Sequence, residues 1–172
     1  SEKEYETSKY LKKRCEKLGL IVEDIPDATG FTALLDTGKP GKILGIRADM
    51  DALAIAENTC NLKSKKVVVS KKPGVSHACG HDSHMTIGIF SAKILKDFRD
   101  DLNGKIYFIF ESAEETGAGI HAMVEHLRDK KLDAVYGNHQ SSALDVGKFK
   151  IRKGPSHAGC VGIEFDVVGK GG

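Results

Sequence analysis

The sequence predicts a three-layer α/β domain. Strand-like and helix-like segments alternate along the chain, the pattern of a sheet covered by helices. Residues 105–110 read as a continuous strand, apolar throughout from Ile106 to Phe110, of the kind found centrally in parallel sheets. Polar residues able to do chemistry follow such runs directly, where open α/β sheets place their ligands. At 172 residues the chain is long enough for one well-packed domain.

The elements follow in order. Residues 3–18 read as an amphipathic helix, with Tyr10, Leu11, Cys15 and Leu18 near helical spacing and Gly19 as its C-cap. Residues 20–25 read as a strand, closed by a turn at Pro26-Asp27. Residues 31–35 and 42–47 read as two strands of a hairpin around the loop Asp36-Thr37-Gly38-Lys39-Pro40-Gly41. The lysine-rich stretch 57–74, interrupted by Val67-Val68-Val69, reads as a surface excursion. A helix capped by Asp82 or Ser83 runs to about Phe98. Its apolar residues Met85, Ile87, Ile89, Phe90, Ile94, Leu95 and Phe98 surround most of the circumference, so heavy burial is expected. After the apolar strand, Ile120, Met123, Val124 and Leu127 mark one face of a helix over 117–128. Residues 134–137 read as a second inner strand. Residues 146–151 and 161–168 alternate better and read as outer or antiparallel strands. There is no internal repeat.

Composition excludes several classes. Forty per cent hydrophobic and 29% charged residues describe an ordinary globular protein. A net charge of +2, from 26 basic and 24 acidic side chains, gives no reason to expect nucleic acid or a membrane surface. The first residues are polar and no signal peptide is visible. No apolar run approaches the roughly 20 residues that span a bilayer. Cys15, Cys60, Cys79 and Cys160 are scattered and do not resemble a disulfide framework, so a cytoplasmic location is expected.

The chemistry gathers in three places. In His77-Ala78-Cys79-Gly80-His81-Asp82, Cys79 and His81 stand two apart, so an extended loop points both to one side. A thiolate and an imidazole aimed at one point suit a transition metal. Glu114-Glu115 follows the apolar run, and His139 follows the strand at 134–137. Together these offer one thiol, two imidazoles and two carboxylates. Each has a plainer reading: Cys79 as a small buried hydrophobe, the histidines as hydrogen-bonded loop residues, the glutamates as an acidic pair ahead of a helix. Hydrolytic metal sites, however, need two carboxylate tasks, one coordinating and one moving a proton. Adjacent glutamates project differently and can divide them. Asp49 and Asp51 are either loop carboxylates or acceptors for the free N–H of a metal-bound histidine. Asp82 offers the same choice, with helix capping as its alternative. His77 and His84 could also stand behind the ligands, although nothing in their spacing demands it. His121 and His126 lie off the apolar face of their helix and are expected to be exposed. Cys15, Cys60 and Cys160 read as structural or surface thiols, and His157 has no part in the cluster.

Arg-Ala-Asp-Met-Asp-Ala-Leu (47–53), His-Ala-Cys-Gly-His-Asp-Ser-His (77–84) and Ala-Glu-Glu (113–115) resemble the signature of a metallo-amidohydrolase family. It includes bacterial N-acyl-amino-acid amidohydrolases, hippurate hydrolases and plant indole-acetyl-amino-acid hydrolases. The resemblance implies a zinc-peptidase-like α/β/α catalytic domain with two divalent metal ions, zinc or manganese first and nickel or cobalt as alternatives. It implies Cys79, His81, Glu115 and His139 as metal ligands and Glu114 as general base and acid. The substrate it implies is the amide of an N-acyl amino acid or small peptide.

Some positions depart from the family pattern. Ala54 stands where proline usually follows Asp-Ala-Leu, Glu111-Ser112 where Gln-Pro precedes Ala-Glu-Glu, and Asn138 and Gln140-Ser141-Ser142 where apolar residues flank the histidine. The resemblance also implies that relatives continue beyond this length, through a smaller dimerising domain and back to complete the catalytic domain, and that this further portion brings another metal ligand, substrate-binding groups and an oxyanion-stabilising histidine. Residues 1–160 are thus expected to be the N-terminal part of a catalytic domain, with 161–172 leading into the dimerising domain. Turnover by the chain alone is expected to be weak or absent, and the whole protein to be a homodimer. Two other functions compete: a hydrolase with Cys79 as nucleophile, activated by His81 or His139, and a metal-binding or interaction module without chemistry.

Overall fold

The apolar run at 106–110 becomes the middle strand of a five-stranded mixed sheet. The computed structural model describes residues 1–61, 63–156, 159 and 162–170. Its elements are α1 (Tyr5–Lys17), β1 (Ile21–Asp24), β2 (Phe31–Asp36), β3 (Ile43–Asp49), α2 (His81–Asp97), β4 (Lys105–Glu111), α3 (Ile120–Arg128) and β5 (Ala134–Gly137). The strand order is β1-β2-β4-β3-β5. β3, β4 and β5 run parallel, while β2 is antiparallel to both of its neighbours.

Alternation along β4 makes the three layers. Ile106, Phe108 and Phe110 face one side, where they pack with Leu11 and Cys15 of α1 and Met85 and Ala92 of α2. Tyr107 and Ile109 face the other side and meet Met123 of α3. Period-two alternation of a wholly apolar strand therefore feeds two cores at once. The rings of Phe31 and Phe110 stack at 4.6 Å across the β2–β4 pair. α1 ends as Gly19 suggests. With Gly19 at φ +76°, its N–H reaches Glu16 O at 2.9 Å and that of Leu20 reaches Cys15 O at 3.1 Å, a Schellman closure.

Several expectations are corrected. Residues 31–35 and 42–47 do not form a hairpin, because β4 lies between β2 and β3. The loop expected to turn a hairpin instead crosses the start of β4. Thr37 Oγ1 donates to Gly104 O at 2.8 Å, and Lys105 N–H to Lys42 O at 3.0 Å. The true hairpin pair is β1 with β2. α2 is not buried all round: Phe90, Ile94 and Phe98 are more than half exposed, because only the stripe through His81, His84, Met85, Gly88 and Ala92 meets the sheet. Tyr10 lies outside the buried stripe of α1, with Arg14 against its ring. Among the described residues β5 is an edge strand, paired with β3 alone.

The chain divides into two units, residues 1–140 and 141–172. All the elements above belong to the first. In the second, no strand forms among the described residues, so the strands expected at 146–151 and 161–168 are absent there. Strands require a partner ladder, and none pairs with these segments among the described residues. Val161, His157 and Cys160 lie outside the described residues. No described helix is long and apolar enough to cross a membrane.

Candidate metal centre

Parallel register brings the site together. Asp49 ends β3 directly beside Glu111 at the end of β4, and β5 delivers the chain to His139 at the same edge of the sheet. The C-terminal ends of parallel strands thus form a shared rim. Beyond β4, Ala113 adopts a left-handed conformation (φ +52°) and turns Glu114 and Glu115 back over that rim. Gly119 lets α3 begin hard against this turn, since a Cβ there would stand 1.8 Å from Ser112 O. α2 starts at His81 and points its first turn at the same place.

Cys79 Sγ lies 3.4 Å from His139 Nε2. His81 is fully buried, and its Nδ1 meets Asp51 Oδ1 at 3.0 Å. With Nδ1–H donating to Asp51, the Nε2 lone pair is free, and it stands 3.6 Å from Glu115 Oε1 and 3.8 Å from Glu114 Oε2. Asp51 is also a brace for the glutamate turn: its Oδ2 accepts the Glu115 N–H at 3.0 Å and the Ser1 hydroxyl at 2.6 Å. His139 donates from Nδ1 to Gln140 O at 2.7 Å, which leaves its Nε2 toward Cys79. Cys79, His81 and His139 therefore converge with Glu114 and Glu115 beside them. Asp82 does not join them; it is exposed on α2, its Oδ1 accepting the Ser83 N–H, because a first-turn position next to His81 faces outward.

Three more participants emerge, of which only His84 was named from sequence, as a residue that could stand behind the ligands. Arg47 reaches Glu111 Oε2 at 2.5 Å, Asp49 Oδ2 at 3.0 Å and Glu114 Oε1 at 3.9 Å. Glu111 is buried as its counter-charge. His84 is buried, bonded to Asp49 through Nδ1 and accepting the Gln140 N–H at Nε2. Strand spacing puts Arg47 and Asp49 on one side of β3, and helix spacing puts His84 three residues after His81 on one face of α2. Those were the available signals. His126 was expected to be exposed; it is instead partly buried, with Nε2 3.1 Å from Thr32 Oγ1, because α3 lies close against β2.

Electrostatics favour a cation here. Burial pushes the Cys79 thiol up to about 11, helped by its bond to Glu115 and by the charges of Glu115, Glu114 and Asp49. Burial also raises the Glu114 carboxyl, with Asp49 and Glu115 adding and Arg47 and His81 opposing. Burial would raise Asp49 too, yet the His84 hydrogen bond with Arg47 and His81 holds it below the ordinary 3.8. Asp51 is likewise held low, against burial, by Ser1, the Glu115 N–H and His81. Buried His81 Nε2 and Glu115 Oε1 have no hydrogen-bond partner among the described residues. Leaving such atoms unpaired is costly. A thiol, imidazole nitrogens and a carboxylate oxygen around orphaned buried atoms fit a divalent transition metal.

Comparisons with known proteins identify the family. The model of peptidase family M20/M25/M40 matches residues 45–170. The chain is 41% identical to thermostable carboxypeptidase 1 of Saccharolobus solfataricus, covering 100% of this chain and 43% of that protein. It is 38% identical to an N-acyl-L-amino acid amidohydrolase of Geobacillus stearothermophilus, over 98% of this chain and 45% of that one. The crystal structure of the Bacillus subtilis YXEP protein, described as a dinuclear metal binding peptidase of the M20 family, superposes with a TM-score of 0.75 at 36% identity. That match covers 86% of this chain and 40% of the other. The chain belongs to peptidase family M20/M25/M40. It spans less than half the length of these relatives.

Proposed function

We propose that this chain is the metal-binding part of a hydrolase that cleaves the amide bond of N-acyl amino acids or small peptides. The observation that carries the reading is the buried His81 Nε2, without a partner and 3.6–3.8 Å from the glutamate oxygens, beside the Cys79–His139 pair. Cys79, His81, Glu115 and His139 would hold two divalent ions, zinc or manganese. When bound, such ions polarise the scissile carbonyl and acidify water. The side chains do the rest. Asp51 keeps the proton of His81 on Nδ1, so Nε2 stays a donor of electrons. Glu114, raised by burial and partly open to solvent, takes a proton from the attacking water at its carboxylate. The same carboxyl returns that proton to the departing amine nitrogen as the C–N bond breaks. Arg47 orients Glu114 from 3.9 Å.

Cys79 as a nucleophile is disfavoured. A thiol pushed up to about 11 is protonated at neutral pH, and the nucleophile is the thiolate. In the favoured reading residues 1–160 belong to the catalytic domain, 161–172 lead toward a dimerising domain, and the natural-length protein is a homodimer. Cys15, Cys60 and Cys79 are free thiols, which suits a reducing, cytoplasmic setting.

Elemental analysis after loading with zinc or manganese and desalting tests the site, alongside hydrolysis of N-acetyl and N-benzoyl amino acids by the natural-length protein. About two ions per chain, with both ions and hydrolysis lost in Cys79→Ser, are expected. Hydrolysis blocked by thiol alkylation but indifferent to chelators would favour the nucleophile instead. Ions held without any hydrolysis would leave a binding module.

A further inference from the structure

His84 lies close enough to Asp49 and His81 to be taken for a third ligand. Its hydrogen bonds say otherwise. Nε2 accepts the Gln140 N–H at 3.0 Å, so it is the lone-pair nitrogen of a neutral ring, and the proton sits on Nδ1, facing Asp49 Oδ1. Both ring nitrogens are occupied. Gln140 follows His139 directly, and both of its peptide groups are engaged there: its N–H by His84, its carbonyl by His139 Nδ1. The rings of His84 and His139 pack edge to face, 4.6 Å apart at 72°. Asp49, at the end of β3, anchors the far end of this chain of contacts.

We propose that His84 is a positioning residue, which carries the rigidity of β3 and α2 into the exposed loop and sets His139 opposite Cys79. The proposal rests on the reading of Cys79, His81 and His139 as ligands. A histidine that orients a ligand from behind acts on metal affinity without touching the ion.

Two substitutions in the natural-length protein separate the ends of the ring. His84→Gln keeps an acceptor near the Nε2 position. His84→Asn keeps a donor near Nδ1 and removes that acceptor. Both lose the buried ring, so comparing them cancels the shared packing cost. Cobalt affinity, read by competition with a chelator, is expected to fall about 10–100-fold in His84→Asn and to stay close to the parent in His84→Gln. Equal loss in both, loss confined to His84→Gln, or no loss in either overturns the proposal. Hydrogen exchange of the Gln140 amide in metal-free protein gives a second readout: slow in the parent and in His84→Gln, fast in His84→Asn. Equal protection in all three overturns it. If the parent binds no cobalt, the metal reading fails on its own, and the exchange result still decides what His84 does.

Discussion

Glu114 is pulled in two directions. Burial, Asp49 and Glu115 favour its neutral form, while Arg47 and His81 favour the carboxylate. As a base it works ionised, so activity should fall as pH drops through its pKa, which burial places above the ordinary 4.5. Arg47→Met removes a cation that stabilises the carboxylate, so the acidic limb of kcat/KM should move to higher pH. A limb unmoved by Arg47→Met would mean that another group controls it. Glu114→Gln should lower kcat by about 10²–10⁴-fold and leave the metal count intact, because the proposed function makes Glu114 the base and not a ligand. Metal lost along with activity would make Glu114 a ligand and not the base.

At the scale of elements, the connection from β2 to β3 rests on two glycines. Gly104 has φ +88°, and a Cβ there would stand 2.1 Å from Lys42 O; at Gly41 a Cβ would stand 2.7 Å from Gly104 N. The loop passes over β4 only because both backbones come bare. Gly104→Ala should therefore destabilise the fold by about 1–3 kcal/mol or more, read as a lower denaturant midpoint at unchanged slope. A substitution without effect would mean that the crossing is loose. This is also where the sequence was least legible. Asp36-Thr37-Gly38-Lys39-Pro40-Gly41 carries a strong local turn signal, but which strand fills the gap beside β2 is a non-local matter settled by β4. The apolar run at 106–110 was legible because a strand buried on both faces has no polar alternation to confuse it. As candidates, Glu114 and Glu115 were legible because they follow the buried β4, and Cys79 and His81 because a thiol and an imidazole two apart suit a metal; His139 follows β5, which proves to be an exposed edge strand. Arg47 was not legible, and His84 only as a residue that could stand behind the ligands, because their contacts with Asp49, Glu111 and Gln140 are created only by the folded register. The exposed face of α2 was misread for a related reason: an apolar circumference states what could be buried, not what meets it.

At the scale of the whole molecule, the candidate centre joins parts that no hydrogen-bonded ladder joins directly. Cys79 and His81 come from the loop before α2 and its first turn, Glu115 from the turn after β4, and His139 from the chain beyond β5. An ion held by all of them binds the folded state and not the unfolded one, so its binding free energy adds to stability. At a free metal concentration one hundred times the dissociation constant, that gain is about 2.7 kcal/mol. At about 2–4 °C per kcal/mol for 150–250 residues, and less for a longer chain, the thermal midpoint should rise by several degrees. Calorimetry of the natural-length protein with zinc or manganese, against the chelated form, measures it. Cys79→Ser should erase most of the gain while leaving the chelated midpoint nearly unchanged, since Cys79 is only partly buried and serine is close to cysteine in size. The gain should also depend on pH. With the Cys79 thiol pushed up to about 11 in the metal-free protein, binding at neutral pH must release its proton. Affinity and the midpoint gain should therefore climb as pH rises from 6 toward 9, with buffer-dependent binding heats that report the released proton. Heats independent of the buffer, or a gain that survives Cys79→Ser, would remove the thiol from the centre.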